Sequence, residues 1–229
     1  MGMFFEEHAK LLSDFARVSQ STGARADYVQ GGGGNTSVKL PGGLMAIKAS
    51  GFCLSDIHPD KAYAVLDGAD LRNFYLTTDP SALADVEKEG SARAKADVRH
   101  IDGLADLRPS VEAGFHSILK TFVVHTHSVY ANLAACSTAC RPIAAQAFAG
   151  ANYTWGWVPY TDPGANLTFA IRDELRRVEK ETGKVPSVIL MQNHGIIVHD
   201  DDPDTALAIH TDANERLARM FGLTGTSFP

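Results

Sequence analysis

The segment His125-Thr126-His127 closes an apolar run, Phe122-Val123-Val124. In an extended strand residues i and i+2 point to one face, so both imidazoles converge on one point at the strand's end. Neutral imidazoles on one face are donors for a divalent metal. Taken alone, the pair leaves a metal ligand and an ordinary hydrogen-bonded histidine equally open. The residues that follow exclude the HxHxDH pattern of metallo-β-lactamases. His194 stands between Asn193 and Gly195, where a turn glycine can aim a ligand from a strand end; an exposed turn histidine is the plainer reading. Glu112 and His116 lie four apart, on one helical face upstream of the histidine pair. Cys136 and Cys140 have a spacing zinc can use, but their Ala, Ser and Thr neighbours read as a packed helix with buried thiols. The run Gly31 to Gly34 is followed by a β-pattern with no GK[ST], which argues against a Rossmann turn or P-loop. Its free amides, beside Asn35, Thr36 and Ser37, fit an oxyanion cradle or a mobile loop equally well.

These residues need elements to hold them. Phe4, Phe5, His8, Leu11, Leu12, Phe15 and Val18 recur at helical spacing, predicting an amphipathic helix over residues 3 to 20 that closes near Gly23. Asn35 to Leu40 and Leu44 to Ser50 flank Pro41-Gly42-Gly43 as a hairpin. Residues 67 to 107, rich in charge and short polar side chains, read as a helical or irregular surface insertion. A helix over about 110 to 120 leads into the strand of residues 121 to 127, and Ser128 is placed to cap the helix that follows. The aromatic stretch Ala151 to Asn166 reads as a loop, with Tyr153, Trp155, Trp157 and Tyr160 either covering a site or, for the tryptophans at least, packing in the interior. A helix over 167 to 182 stops at Gly183. Two strands flank Asn193-His194-Gly195, and Asp202 with Pro203 starts a last helix ending near Phe221. The mixture of strands and helices over one core predicts a single layered domain over 1–229 of α/β or α+β class.

Composition bounds the partners. The chain has 229 residues, 21 Lys and Arg against 27 Asp and Glu, and a net charge of −6. Acidity without a basic run argues against nucleic acid or an anionic membrane. The opening MGMFFEEHAK has no apolar run behind it, which speaks against a signal peptide, and no stretch is apolar enough to span a bilayer. Cys53, Cys136 and Cys140 suit reduced thiols in a cytoplasmic protein.

Six short motifs then fall in order: GGNTS (Gly33 to Ser37), KASG (Lys48 to Gly51), PSVE (Pro109 to Glu112), HTH (His125 to His127), VPY with a following glycine (Val158 to Tyr160, Gly164) and NHG (Asn193 to Gly195). Together they resemble the class II aldolase/adducin family, most nearly the aldolase domain of bifunctional rhamnulose-phosphate aldolase/dehydrogenase proteins. The resemblance implies a three-layer α/β/α fold around a mostly antiparallel sheet and a homotetramer with its site at a subunit interface. It implies Zn2+, with Mn2+ or Co2+ as substitutes, on His125, His127 and His194. Glu112 would be a further ligand and then the catalytic acid/base. Phosphate would be held by Asn35, Ser50, Gly51 and Ser110, with Thr36 beside them and Lys48 where related epimerases carry a substrate-binding lysine. Two departures stand out. Val111 replaces the second hydroxyl of the aldolase P-S-S-E pattern, and a chain ending at Pro229 has no counterpart of the tail tyrosine that some family aldolases lend to a neighbouring subunit.

The chemistry so implied is reversible cleavage of a ketose 1-phosphate to dihydroxyacetone phosphate and an aldehyde such as lactaldehyde. Carbon–carbon cleavage beside a carbonyl develops charge that a Lewis acid stabilises, and a carboxylate next to it can move the proton. The alternatives are a pentulose-5-phosphate 4-epimerase, disfavoured because that branch usually has Asp in place of Glu112, a decarboxylase or dehydratase on the same scaffold, and a non-enzymatic adducin-like interaction module.

Overall fold

The computed structural model describes residues 3–224, so the chain end at Pro229 lies outside the described residues. Nine helices and eight strands follow one another as α1 (Met3–Glu7), α2 (Ala9–Gly23), β1 (Asn35–Lys39), β2 (Leu44–Lys48), β3 (Tyr63–Asp67), α3 (Gly68–Thr77), α4 (Val86–Ala96), β4 (Val98–Arg99), α5 (Ala113–Ile118), β5 (Phe122–Thr126), α6 (Val129–Ala135), α7 (Cys140–Ala147), β6 (Trp155–Val158), α8 (Ala165–Thr182), β7 (Val188–Met191), β8 (Gly195–Asp200) and α9 (Pro203–Met220) among the described residues.

The strands form one sheet in the order β4-β3-β2-β1-β5-β8-β7-β6. That sheet is mixed, which corrects the expectation of a mostly antiparallel one: β6 runs parallel to β7, Trp155 opposite Val188 and Val158 opposite Met191. The reason is connectivity. Parallel neighbours need a crossover, and α8 supplies it between β6 and β7. The aromatic stretch therefore contains a strand where a loop was expected; a four-residue WGWV between glycines and prolines carries too little pattern to announce itself.

Period-two alternation divides the core between the faces. On one side Val38, Ala46, Val65, Val124 and Val198 pack against Leu12 and Phe15 of α2 and Ala213 and Leu217 of α9. On the other Met45, Ile47, Leu66, Val123 and Ile197 pack against Leu71 and Tyr75 of α3, Phe115 of α5 and Phe169 and Ile171 of α8.

Three local expectations are revised. The first helix breaks at His8 into α1 and α2. Ser128 does not cap α6; its hydroxyl goes to Asn214 of α9. The stretch from 67 to 107 is helical at α3 and α4, and it is tied into the domain: Leu71 and Tyr75 are buried in the core. Glu87 of α4 accepts from the Ala165 and Asn166 amides at 2.9 and 2.8 Å, capping the start of α8. Orphan amides at a helix start favour such a carboxylate.

Candidate functional site

His125 occupies the penultimate position of β5, paired with Asn35 of β1 on one side and Ile197 of β8 on the other. Asn35 and His125 therefore share a face. His127 continues that face just past the strand. The antiparallel pairing of β5 with β8 then brings the turn between β7 and β8, and with it His194, alongside. Asn193 adopts φ 54, and Gly195 follows because a Cβ there would collide with the Thr126 carbonyl oxygen. The glycine of the NHG motif is thus required by close backbone approach, and that approach carries His194 to the pair.

His125, His127 and His194 offer ligand atoms that all lie within 4.8 Å of one another. The Nε2 atoms of His125 and His127 are 3.2 Å apart. Tetrahedral zinc with Zn–N of 2.0–2.1 Å sets donor separations of about 3.3 Å, so the spacing fits a shared ion. His125 donates Nδ1–H to the Ile196 carbonyl at 3.0 Å, which leaves the Nε2 lone pair facing the cluster. Glu112, just before α5, brings Oε1 to 3.2 Å from His194 Nε2 and 3.6 Å from His125 Nε2.

The electrostatics suit ligation. Burial lowers the His125 pKa to about 4 against the opposing pull of Glu112, and burial lowers that of His127 as well. At neutral pH both rings keep a free electron pair. Burial resists ionisation of Glu112, but His125 and the hydrogen bond from His194 outweigh it and hold the carboxyl well below the usual range. The uncharged His125 and His127 rings, His194 and one carboxylate thus meet at a point.

The back of this segment is fixed by α9. Thr126 and Ser128 point away from the histidines: Thr126 Oγ1 pairs with His210 Nε2 at 2.8 Å and Ser128 with Asn214. Burial pushes the His210 pKa down to about 3, so that ring too is neutral.

The remaining predicted site residues divide. Asn35 is buried beside His125 with no partner for Oδ1. Lys48 is buried and donates to the carbonyls of Phe52 at 2.7 Å and Gly32 at 3.4 Å, fastening the glycine-rich loop; burial lowers its pKa although Glu112 opposes this. Ser110 accepts from the Glu112 amide at 3.2 Å. Ser50 and Gly51 are exposed at the rim, Gly51 with φ 90. Thr36 does not join them. It alternates to the opposite face, fully buried, with Oγ1 2.7 Å from Ser19 Oγ of α2.

Arg108, absent from the sequence expectations, lies at the same rim. Its guanidinium donates to Ser50 Oγ at 3.2 Å and its carbonyl accepts from the Ser50 amide at 2.9 Å. Its place two residues before Ser110 was the signal that could have found it. The aromatic stretch is mostly remote: Tyr153 donates to Asp212, and Trp155 and Trp157 pack against the α9 side of the core. Tyr160, 54% exposed, is the exception, because its amide donates to Gln192 beside the His194 turn. Cys140 is buried but Cys136 is exposed, so the two thiols do not share one environment.

Among the described residues, no helix is long and apolar enough to cross a membrane. The family model for the Class II Aldolase and Adducin N-terminal domain matches residues 13–221. Among curated proteins, none matches the sequence. Solved structures share the fold. The N-terminal class II aldolase domain of a conserved protein from Thermoplasma acidophilum superposes with a TM-score of 0.74 at 20% identity, covering 92% of this chain and 93% of that one. YgbL of Klebsiella pneumoniae, described only as a putative aldolase, epimerase or decarboxylase, gives 0.63 at 18% identity, covering 96% and 91%. An L-fuculose-1-phosphate aldolase from Thermus thermophilus gives 0.56 at 15%, covering 97% and 100%.

Proposed function

The chain belongs to the class II aldolase and adducin family, and from that premise we propose that it is a divalent metal-dependent lyase. It reversibly cleaves a ketose 1-phosphate to dihydroxyacetone phosphate and a short aldehyde of the lactaldehyde kind. The observation that carries the proposal is the convergence of His125, His127 and His194 with the Glu112 carboxylate, at separations that suit one shared ion. A non-enzymatic module would have no use for such a cluster. An ion held by the three imidazoles, zinc first and manganese or cobalt as substitutes, would supply Lewis acidity toward the hydroxyketone oxygens.

The chain's own groups do the rest. Glu112, ionised and next to the ligands, takes the proton from the substrate hydroxyl in cleavage and returns one to carbon. Asn35 has a free buried carbonyl and an amide to orient a hydroxyl or phosphate oxygen. Ser50, Gly51 and Ser110 offer hydroxyls and an amide for the phosphate, and Arg108 adds the charge that Val111 does not. Lys48 holds the glycine-rich loop against the pocket. Tetrameric assembly with the site at a subunit interface, and a cytoplasmic setting, belong to the same reading; light scattering of the purified protein tests the former.

The deciding experiment incubates the metal-loaded protein with a panel of ketose 1-phosphates and pentulose 5-phosphates and follows dihydroxyacetone phosphate by a coupled reduction. Cleavage that chelation abolishes and zinc restores is the expected result. Epimerised sugar, loss of carbon dioxide, or cleavage indifferent to chelation would each overturn it.

A further inference from the structure

A cavity of about 580 Å3 lies at the other end of the strands from the histidine cluster. β1 carries Asn35 at the cluster and Lys39 at this cavity, a separation of about 13 Å along the strand. Its walls hold five basic side chains, Lys39, Arg72, Lys120, Arg172 and Arg176, against two acids, Glu179 and Asp201. In a chain of net charge −6 this is a local inversion of sign.

Part of the cluster has a structural use. Lys39 Nζ donates to the His116 carbonyl and Arg72 to that of Ser117 at 3.3 Å, at the end of α5. Arg172 donates to Tyr75 and Thr78 at 2.9 and 2.8 Å and Arg176 to Leu76 at 2.9 Å, at the end of α3. Each helix end offers only about half a negative charge, so the carboxylates nearby supply most of the balance. Lys120 pairs with Asp200, and Arg172 and Arg176 with Asp173 at 2.8 and 4.0 Å. Lys39 and Arg72 form no ion pair with a carboxylate among the described residues. Burial and then the Arg72 charge hold Lys39 well toward its neutral form, so Arg72 is the charge on this wall that has no carboxylate partner among the described residues.

Like charges held side by side in a concave site call for an anion between them. Guanidinium groups match the oxygens of a phosphate. The volume exceeds what phosphate needs and falls in the range of small-molecule sites, while Leu44, Leu76 and Val185 provide apolar wall for an uncharged body. We propose that this cavity is a second ligand site, separate from the metal cluster, which binds a small phosphate monoester through Arg72 and Arg176. It does not depend on the aldolase reading.

The test measures binding of inorganic phosphate to the metal-free protein by calorimetry and 31P NMR. Wild type, Arg72→Ala/Arg176→Ala and Ser50→Ala/Arg108→Ala are compared, with folding checked by circular dichroism. The wild type binds phosphate at millimolar concentration, Ser50→Ala/Arg108→Ala retains an equivalent, and Arg72→Ala/Arg176→Ala loses that equivalent with Kd raised at least about tenfold. Turnover, where measured, stays unchanged in Arg72→Ala/Arg176→Ala. No binding by wild type, or binding lost only with Ser50 and Arg108, overturns the proposal. So does an Arg72→Ala/Arg176→Ala protein that melts earlier but binds phosphate as before, since its cations would then serve only to cap α3 and α5.

Discussion

Acidification is a direct probe of the buried histidines. His199 in β8 and His210 in α9 are fully enclosed, and burial pushes the pKa of each down to about 3. In the unfolded chain each titrates near 6.5. Between these values the unfolded chain holds a proton on each ring that the folded chain does not. Unfolding is therefore favoured as pH falls, by about 1.4 kcal/mol per pH unit per histidine. The stabilisation is fully present above pH 6.5 and is lost progressively down to about pH 3. Two such groups give about 2.7 kcal/mol per unit, so a fall from pH 6.5 to 5 removes about 4 kcal/mol, a large share of a typical 5–15 kcal/mol. His116 and His125, also lowered by burial, act in the same direction in metal-free protein, so His199 and His210 set the least slope to expect. The exposed His100, whose pKa Asp106 raises, works in the opposite direction. Urea denaturation followed by circular dichroism, in chelator at pH 7.5, 6.5, 5.5 and 5, measures the slope, and His199→Gln should lower it by about 1.4 kcal/mol per unit. A stability flat over this range would refute the assignment of both rings as buried and neutral, and a slope indifferent to the substitution would refute that of His199.

Three further outcomes follow from the site. Glu112→Gln keeps the shape of the side chain but removes the base, so metal content by elemental analysis should persist while turnover falls about 10²- to 10⁴-fold. Gly195→Ala drives a Cβ into the Thr126 carbonyl oxygen; it should lower stability by about 1–3 kcal/mol in urea denaturation and weaken metal binding in a chelator competition. Arg108→Ala removes an exposed donor beside Ser50, so KM for a phosphorylated ketose should rise about fivefold with kcat little changed, and Arg108→Lys should recover part of the loss.

Much of this was legible before folding. The spacing of His125 and His127 set them on one face because strand geometry has a period of two, and the same rule separates Asn35 from Thr36: adjacent strand residues cannot both face one pocket. The β1–β2 hairpin, the αL stop of α8 at Gly183 and the Asp202 cap of α9 followed from turn and cap chemistry alone. β6 was hidden because its four residues depend on a parallel partner, β7, brought there by α8. The stretch from 67 to 107 reads as a surface insertion because it is rich in charge, yet Leu71 and Tyr75 lie in the core and Glu87 caps a distant helix.

By itself, then, the sequence determined the donor types, the local geometry that points two imidazoles together, and membership in the class II aldolase and adducin family. Tertiary structure alone decided that His194 and Glu112 meet that pair, that Arg108 reaches Ser50, and that five basic side chains surround one cavity. Local pattern is set by neighbours along the chain, within a few residues. These contacts join positions far apart in sequence, and only strand pairing and helix packing fix which of them touch.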